Sequence, residues 1–200
     1  MEMNVEWIMS KFGKSEAEAK RMLEIHNKDS QDYMSSLRKP EKDKGNIAVI
    51  TIYAVSDGKQ ISCHCSNEEH YRDKVISDIT VSGADELSIF VTRTVHEYSN
   101  YNNGWSSNGI IENICDFSDI SREQAVLALS DLTLRIRLAR MSTLLSQRAF
   151  AKELNIPYRS IENWESGQRV PPEYVVELIE YKLENERQKM FSKNEKRYEK

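Results

Sequence analysis

The stretch from Leu144 to Pro172, LLSQRAFAKELNIPYRSIENWESGQRVPP, constrains this chain more than any other. Its punctuation dictates two short helices joined by a tight turn. Ser146 is placed to cap a helix whose apolar residues Phe150, Ala151 and Leu154 fall on one side at helical spacing. Asn155 stands where that helix must stop, and Asn tolerates the left-handed conformation that ends helices. Pro157 fixes φ near the start of the next helix. Gly167 closes that second helix, and Pro171-Pro172 opens another.

The second helix, Tyr158 to Ser166, divides into two faces at about 100° per residue. Ile161 and Trp164, with Ser160 beside them, share a face suited to packing on the first helix. Tyr158, Arg159, Glu162 and Asn163 share the opposite face. These polar types match base edges: Arg donates two bonds to guanine, Asn pairs doubly with adenine, and Glu accepts from cytosine. Tyr158 can reach a phosphate or a thymine methyl group. Gln147 begins the preceding helix, where side-chain amides and backbone N–H groups meet phosphates. Glu162 and Glu165 also read as plain solvated helix residues, and a generic helical hairpin could carry a similar pattern. Agreement among turn chemistry, both faces and the flanking prolines favours the DNA-directed reading.

The pieces Leu145-Ser146-Gln147, Phe150-Ala151, Leu154-Asn155-Ile156, Ser160-Ile161 and Trp164-Glu165-Ser166-Gly167 resemble the helix-turn-helix of phage Cro/CI-type repressors, the XRE-like family. The resemblance covers residues 130–184. It implies a bundle of about five helices with the third in the major groove, bound as a homodimer to half-sites about one helical turn apart. Double-stranded DNA is the implied partner, with Tyr158, Arg159 and Asn163 at base-reading positions and Gln147 on a phosphate. Arg148, Ser160 and Arg169 complete the expected DNA-binding set. Asn155 replaces the more usual Gly, and Pro157 stands where Ser or Thr often caps the recognition helix. The resemblance also implies a bacterial or phage origin and a regulator of transcription, with repression the expected sense.

A formal net charge of −4 sits awkwardly with a DNA partner until its distribution is read. Residues 1–120 carry 13 Lys and Arg against 20 Asp and Glu; residues 121–200 carry 15 against 12. Within 135–169, Arg135, Arg137, Arg140, Arg148, Lys152, Arg159 and Arg169 face only Glu153, Glu162 and Glu165. The local field therefore favours phosphate where the helical motif lies.

The rest of the chain reads as α+β. Residues 4–38 are helical with a break at Gly13, and Ser15 with Glu18 forms a capping box. Residues 40–46 are a polar linker. Residues 47–55 form a β-rich run, Asp57-Gly58 a two-residue hairpin turn, and residues 59–65 the returning strand. Residues 66–76 resemble a capped helix, and residues 87–98 another strand. Residues 100–109 are a loop or long hairpin tip, residues 110–117 are ambiguous, and a helix starts at Ser121 and runs to about Met141. Tyr98, Tyr101 and Trp105 around that loop read as a buried hairpin tip, the alternative being an aromatic partner surface. Residues 172–185 form an amphipathic helix with Val175, Val176, Leu178, Ile179 and Leu183 for burial, and the charged tail 186–200 either extends it or frays. The expected organisation is an N-terminal α+β domain with a small antiparallel sheet over residues 1–120, then a C-terminal all-α helix-turn-helix bundle over residues 121–200.

Other chemistry is thin. Cys63-His64-Cys65 with His70 has zinc-ligand residue types, but strand alternation turns His64 away from the two thiols, and no Cys-x-x-Cys pair completes a site. Buried thiols acting as small hydrophobes are the preferred explanation. No nucleophile, base and orienter stand at recognisable spacing, and no phosphate-cradling Gly loop occurs, so neither an enzyme nor a cofactor is expected. Three cysteines without a secretion signal or an apolar span point to reduced thiols, no membrane and a cytoplasmic protein. One rival function stands beside the regulator. The acidic residues 1–120 would bind and inhibit a protein target while the helical domain represses its own promoter, by analogy with anti-CRISPR proteins and antitoxins of fused design.

Overall fold

The run from Ile47 to Val55 is apolar at nearly every position, as befits a strand covered on both faces rather than one. A computed structural model describes residues 4–12, 15–21, 23, 46–66, 68–99 and 104–192. Helix α1 (Val5–Phe12) and the helical residues 16–21, here α2, precede the strands β1 (Asn46–Ser56) and β2 (Lys59–Cys65). Helix α3 (Tyr71–Ser82) leads to β3 (Glu86–Ser99) and β4 (Gly104–Ser121). Five helices follow: α4 (Arg122–Ser130), α5 (Leu132–Met141), α6 (Gln147–Glu153), α7 (Tyr158–Glu165) and α8 (Glu173–Ser192). The expected linker at 40–45, most of the helical reading beyond residue 23, the loop residues 100–103 and the tail from 193 lie outside the described residues, as do the side chains of Tyr98, Tyr101 and Trp105.

The four strands form one antiparallel sheet in the order β2-β1-β3-β4. The β1–β2 turn is the expected one, with Asp57 and Gly58 both left-handed at φ 47° and 71°. One face of the sheet packs Ile50, Ile52, Leu87, Ile89 and Val91 against Val75 and Ile79 of α3, Ala125 and Leu129 of α4, and Leu134, Leu138 and Met141 of α5. The other face packs Tyr53, Val55, Phe90 and Ile111 against Ile8 and Ala19. Both faces of β1 are thus covered. Further along the second face, Thr92, Thr94 and His96 of β3 are buried at 0%, 4% and 3% exposure. Ser15 and Glu18 form the anticipated reciprocal cap, the Glu18 N–H donating to Ser15 Oγ at 3.4 Å and the Ser15 N–H to Glu18 Oε2 at 3.0 Å.

Several elements differ from the sequence reading. Ser66 does not cap a helix; it extends the sheet, its N–H donating to the Ile50 carbonyl at 2.7 Å and its Oγ accepting from the Ile50 N–H at 3.0 Å. The helix therefore starts at Tyr71 and runs to Ser82, preceded by His70 in the left-handed region at φ 53°. The ambiguous residues 110–117 belong to β4, which begins at Gly104 and reclaims most of the expected loop. Its register slips beside Val91/Thr92 and Thr94/His96; at the first slip the neighbours Ile114 and Cys115 both serve the first face, while Ile111 serves the second. The single helix expected from 121 to 141 is two. Asp131 is extended (φ −61°, ψ 124°), donating its N–H to the Ala128 carbonyl at the end of α4 and accepting from the Leu134 N–H at 2.8 Å to start α5.

Helix α5 belongs to two cores. Leu134, Leu138 and Met141 enter the sheet core, while Ile136 and Ala139 join Phe150, Ala151, Ile161, Val176 and Ile179 in a helical core. On α8, Val176 and Ile179 are buried as expected, with Val175 and Leu183 packed at the margin. Leu178 is not: it is 62% exposed, because its turn of the helix points away from α5 toward the side that also shows Tyr174 and Tyr181. Residues 186–192 extend α8 rather than fray. Among the described residues, no helix is long and apolar enough to cross a membrane.

The cluster Cys63-His64-Cys65 divides across β2 as strand alternation requires. His64 faces α3, its Nδ1 2.9 Å from Glu68 Oε2 and its Nε2 3.0 Å from Asp78 Oδ2. Cys63 packs against the opposite core. Ser62 Oγ donates to the same Asp78 oxygen at 2.7 Å. Both ring nitrogens of His64 are therefore committed to carboxylates.

Candidate nucleic-acid interface

Local chemistry sets the two helices. The Ser146 side chain caps α6 by accepting from the Ala149 N–H at 3.3 Å. Asn155 is left-handed at φ 54°, and the Ile156 N–H returns to the Ala151 carbonyl at 2.9 Å, closing the helix end. Pro157 caps α7 with its backbone, its carbonyl accepting from the Ser160 and Ile161 N–H groups. Gly167, at φ 74°, ends the helix by donating to the Trp164 carbonyl at 3.2 Å. A left-handed Leu144 (φ 62°) in the α5–α6 turn carried no signal in its residue type.

The amphipathic division of α7 holds for Ile161 and Trp164, whereas Tyr158, expected on the opposite face, also packs its ring against the helical core. Ile161 is wholly buried against α5, α6 and α8, with Trp164 packed beside it. On the opposite side the Arg159 side chain is 83% exposed. Tyr158, Ser160 and Asn163 are half-buried. The first turns of α6 and α7 meet, since the Arg148 guanidinium lies 5.1 Å from the centre of the Tyr158 ring, a cation–π distance. Arg169, just beyond α7, is exposed and donates its backbone N–H to the Asn163 carbonyl at 3.2 Å. Tyr158, Arg159, Asn163, Arg148 and Arg169 thus come together around one helix.

Glu162 ties this group internally. It accepts from Arg159 Nη1 at 2.8 Å and from the Tyr158 hydroxyl at 3.3 Å. Gln147 stands apart in its bonding: its Nε2 donates to Glu165 Oε2 at 2.9 Å, which orients the side chain between α6 and α7. Glu165 in turn receives Arg140 Nε at 2.6 Å and Nη2 at 3.0 Å, and Arg140 Nη1 donates to the Leu145 carbonyl at 3.1 Å. One buried carboxylate therefore holds α5, α6 and α7 together. Sequence reasoning treated Glu165 as a solvated residue and Arg140 as a source of positive field; the structure corrects both. Arg135 is corrected likewise, being buried and paired with Glu180 at 2.6 Å. The exposed cations around the motif are Arg148, Lys152, Arg159 and Arg169.

Comparison with known proteins agrees with this geometry. Residues 136–181 match the helix-turn-helix family model. No curated protein and no solved structure matches the chain. The C-terminal helices form a helix-turn-helix domain of the XRE type, a DNA-binding class. Its span begins inside α5 and ends inside α8, which are the two helices that close the core around α6 and α7.

Proposed function

We propose that this protein is a cytoplasmic, sequence-specific transcriptional regulator acting as a repressor, with α7 in the major groove. The observation that carries this reading is the exposed face of α7, where Arg159 and Asn163 stand one turn apart beside the Arg148–Tyr158 contact. Arg159 and Asn163 read bases, Tyr158 and Ser160 settle the helix against the groove wall, and Gln147, Arg148 and Arg169 meet phosphates. Two copies bind a palindromic operator. The exposed stripe Tyr174, Leu178 and Tyr181, at i, i+4 and i+7 on α8, supports a dimer contact there.

Selection of genomic fragments by the purified full-length protein tests the reading, with the Arg159→Ala/Asn163→Ala double variant as control. A palindromic site lost in the variant is the expected result. A site only upstream of the protein's own gene would favour the inhibitor reading of the N-terminal half. The absence of any enriched sequence at moderate salt would overturn the proposal.

A further inference from the structure

An exposed ion pair one turn apart on a helix ordinarily restrains little, because two long side chains lose freedom for a screened attraction. The pair between Arg159 and Glu162 on α7 has a further anchor. Glu162 Oε2 accepts from Arg159 Nη1 at 2.8 Å, and its other oxygen, Oε1, accepts from the Tyr158 hydroxyl at 3.3 Å. Tyr158 is no loose surface side chain. Its ring packs against the helical core, and the Arg148 guanidinium of α6 lies 5.1 Å from the ring centre. The carboxylate is thus tethered on one side to a ring seated in the core, and on the other it reaches outward to Arg159.

Exposure follows the same gradient: the Glu162 side chain is 35% exposed and that of Arg159 83%. Sequence alone leaves Glu162 open as a cytosine acceptor or a solvated residue, whereas both of its oxygens take protein donors. A guanidinium carries more N–H groups than one carboxylate oxygen can use. Arg159 makes no other hydrogen bond or ion pair among the described residues, so it keeps donors for the O6 and N7 of guanine.

We infer that Glu162 is the positioning residue that makes Arg159 selective for guanine, a role that rests on the DNA reading proposed above. A lone Arg sweeps many rotamers and meets phosphate as readily as a base edge. Held at Nη1 by an anchored carboxylate, the guanidinium has less freedom to lose on meeting a base. The carboxylate itself touches no base. It repels phosphate at every site and helps only where guanine faces Arg159, so it widens the gap between operator and bulk DNA from both sides.

The test has one arm without DNA and one with it. In the free full-length chain, NMR relaxation of the Arg159 Nε–H should report a restrained side chain that becomes mobile in Glu162→Ala. Alanine suits a helix position, so this variant keeps its fold. Equal mobility with and without the carboxylate would overturn the assignment. Selection from a random duplex pool then compares the wild type, Arg159→Ala, Glu162→Ala and Glu153→Gln. Arg159→Ala identifies the guanine position. There Glu162→Ala should lose its preference for guanine about tenfold while the other consensus positions persist. Glu153→Gln, on the exposed side of α6, removes one carboxylate that does not touch Arg159, and should leave that preference as it is. A guanine preference unchanged in Glu162→Ala, or lost equally in Glu153→Gln, would overturn the positioning role. Loss of a separate cytosine position in Glu162→Ala would also overturn it, by making Glu162 a reader of bases itself. If the wild type enriches no sequence, the regulator reading fails and this role with it, an outcome distinct from all the others.

Discussion

Arg140 and Glu165 form a two-bond ion pair, Nε to Oε1 at 2.6 Å and Nη2 to Oε2 at 3.0 Å, with the Glu165 side chain only 5% exposed. The pair links α5 to the last turn of α7, and Gln147 joins it from α6. The angle at which α7 leaves the domain is thus set from inside, by residues that never need to touch a base.

Glu165→Ala removes the acceptor shared by Arg140 and Gln147 and leaves a largely buried guanidinium uncompensated. The expected loss is about 3–5 kcal/mol, as for other broken buried pairs. Urea unfolding should show a lower midpoint with an unchanged slope, because the surface exposed on unfolding stays the same. An unchanged midpoint would mean the pair contributes nothing net.

Glu162→Gln acts in the opposite sense on binding. The carboxylate now holds Arg159 Nη1 at 2.8 Å and lies on the face proposed to meet the groove. Neutralising it frees Arg159 and removes repulsion from phosphate. Affinity for nonspecific duplex should rise, and the slope of log affinity against log salt should steepen by about one unit. Electrophoretic shifts across a salt series read this directly; a shallower slope would place Glu162 away from the DNA.

Asp131→Ala removes the side-chain acceptor at the start of α5 and should cost about 1 kcal/mol. The local change will matter more for where α4 ends than for the total, since two helices meet at this residue. Loss of amide-exchange protection at Leu134 would report the lost cap, and full protection there would contradict it.

The gap between sequence and structure at Asp131 shows where local reading stops. Asn155, Pro157, Gly167 and Pro172 act within a few residues of themselves, so the boundaries of α6, α7 and the start of α8 were legible, as was the Asp57-Gly58 hairpin. Asp131 interrupts no periodicity, yet it ends α4 and caps α5 with an extended backbone. The strand β4 hid because bulges shift its phase and its polar residues mimic a loop. Arg135 and Arg140 could not be told from surface cations, because their carboxylates stand 45 and 25 residues away. The exposed position of Arg159 on α7 was legible; the framework behind it was not.

Stability should fall on the acid side in two stages. Burial holds the His96 imidazole below its ordinary value of 6.5, so the fold keeps it neutral while the unfolded chain takes a proton. Stability therefore declines as pH drops below about 6.5, by at most about 1.4 kcal/mol per pH unit, until His96 itself protonates. Lower down, burial pushes Glu68 up, but hydrogen bonds from His64, the Cys65 N–H and Lys74 outweigh it and hold the carboxyl low. Asp78 is held low by Ser62 first, against burial, and then by His64. Their contribution is present above the ordinary carboxylate range and is lost as pH falls through the lowered values. Urea midpoints measured from pH 8 to pH 3 should show both stages, and His96→Gln should flatten the upper one alone.

The dimer contact proposed on α8 has its own check. Leu178→Asp places a charge at the centre of the exposed stripe between Tyr174 and Tyr181 without touching the buried Val176 or Ile179. Sedimentation should report a monomer of unchanged thermal stability, with operator affinity reduced at least tenfold as two half-sites lose their linkage. A persistent dimer would move the contact to the sheet.

Helix α5 is a wall common to two rooms. Its Leu134, Leu138 and Met141 close the space under the sheet, and its Ile136 and Ala139 close the space behind α7. A graft that lifts the DNA-reading part out at residue 132 would leave the remaining half with an open floor, and one that cuts after residue 141 would leave the reader without a back. The two halves can then neither melt nor be exchanged one at a time: heat should remove them in a single transition, and a transplant succeeds only if the wall is copied with both of its papered sides.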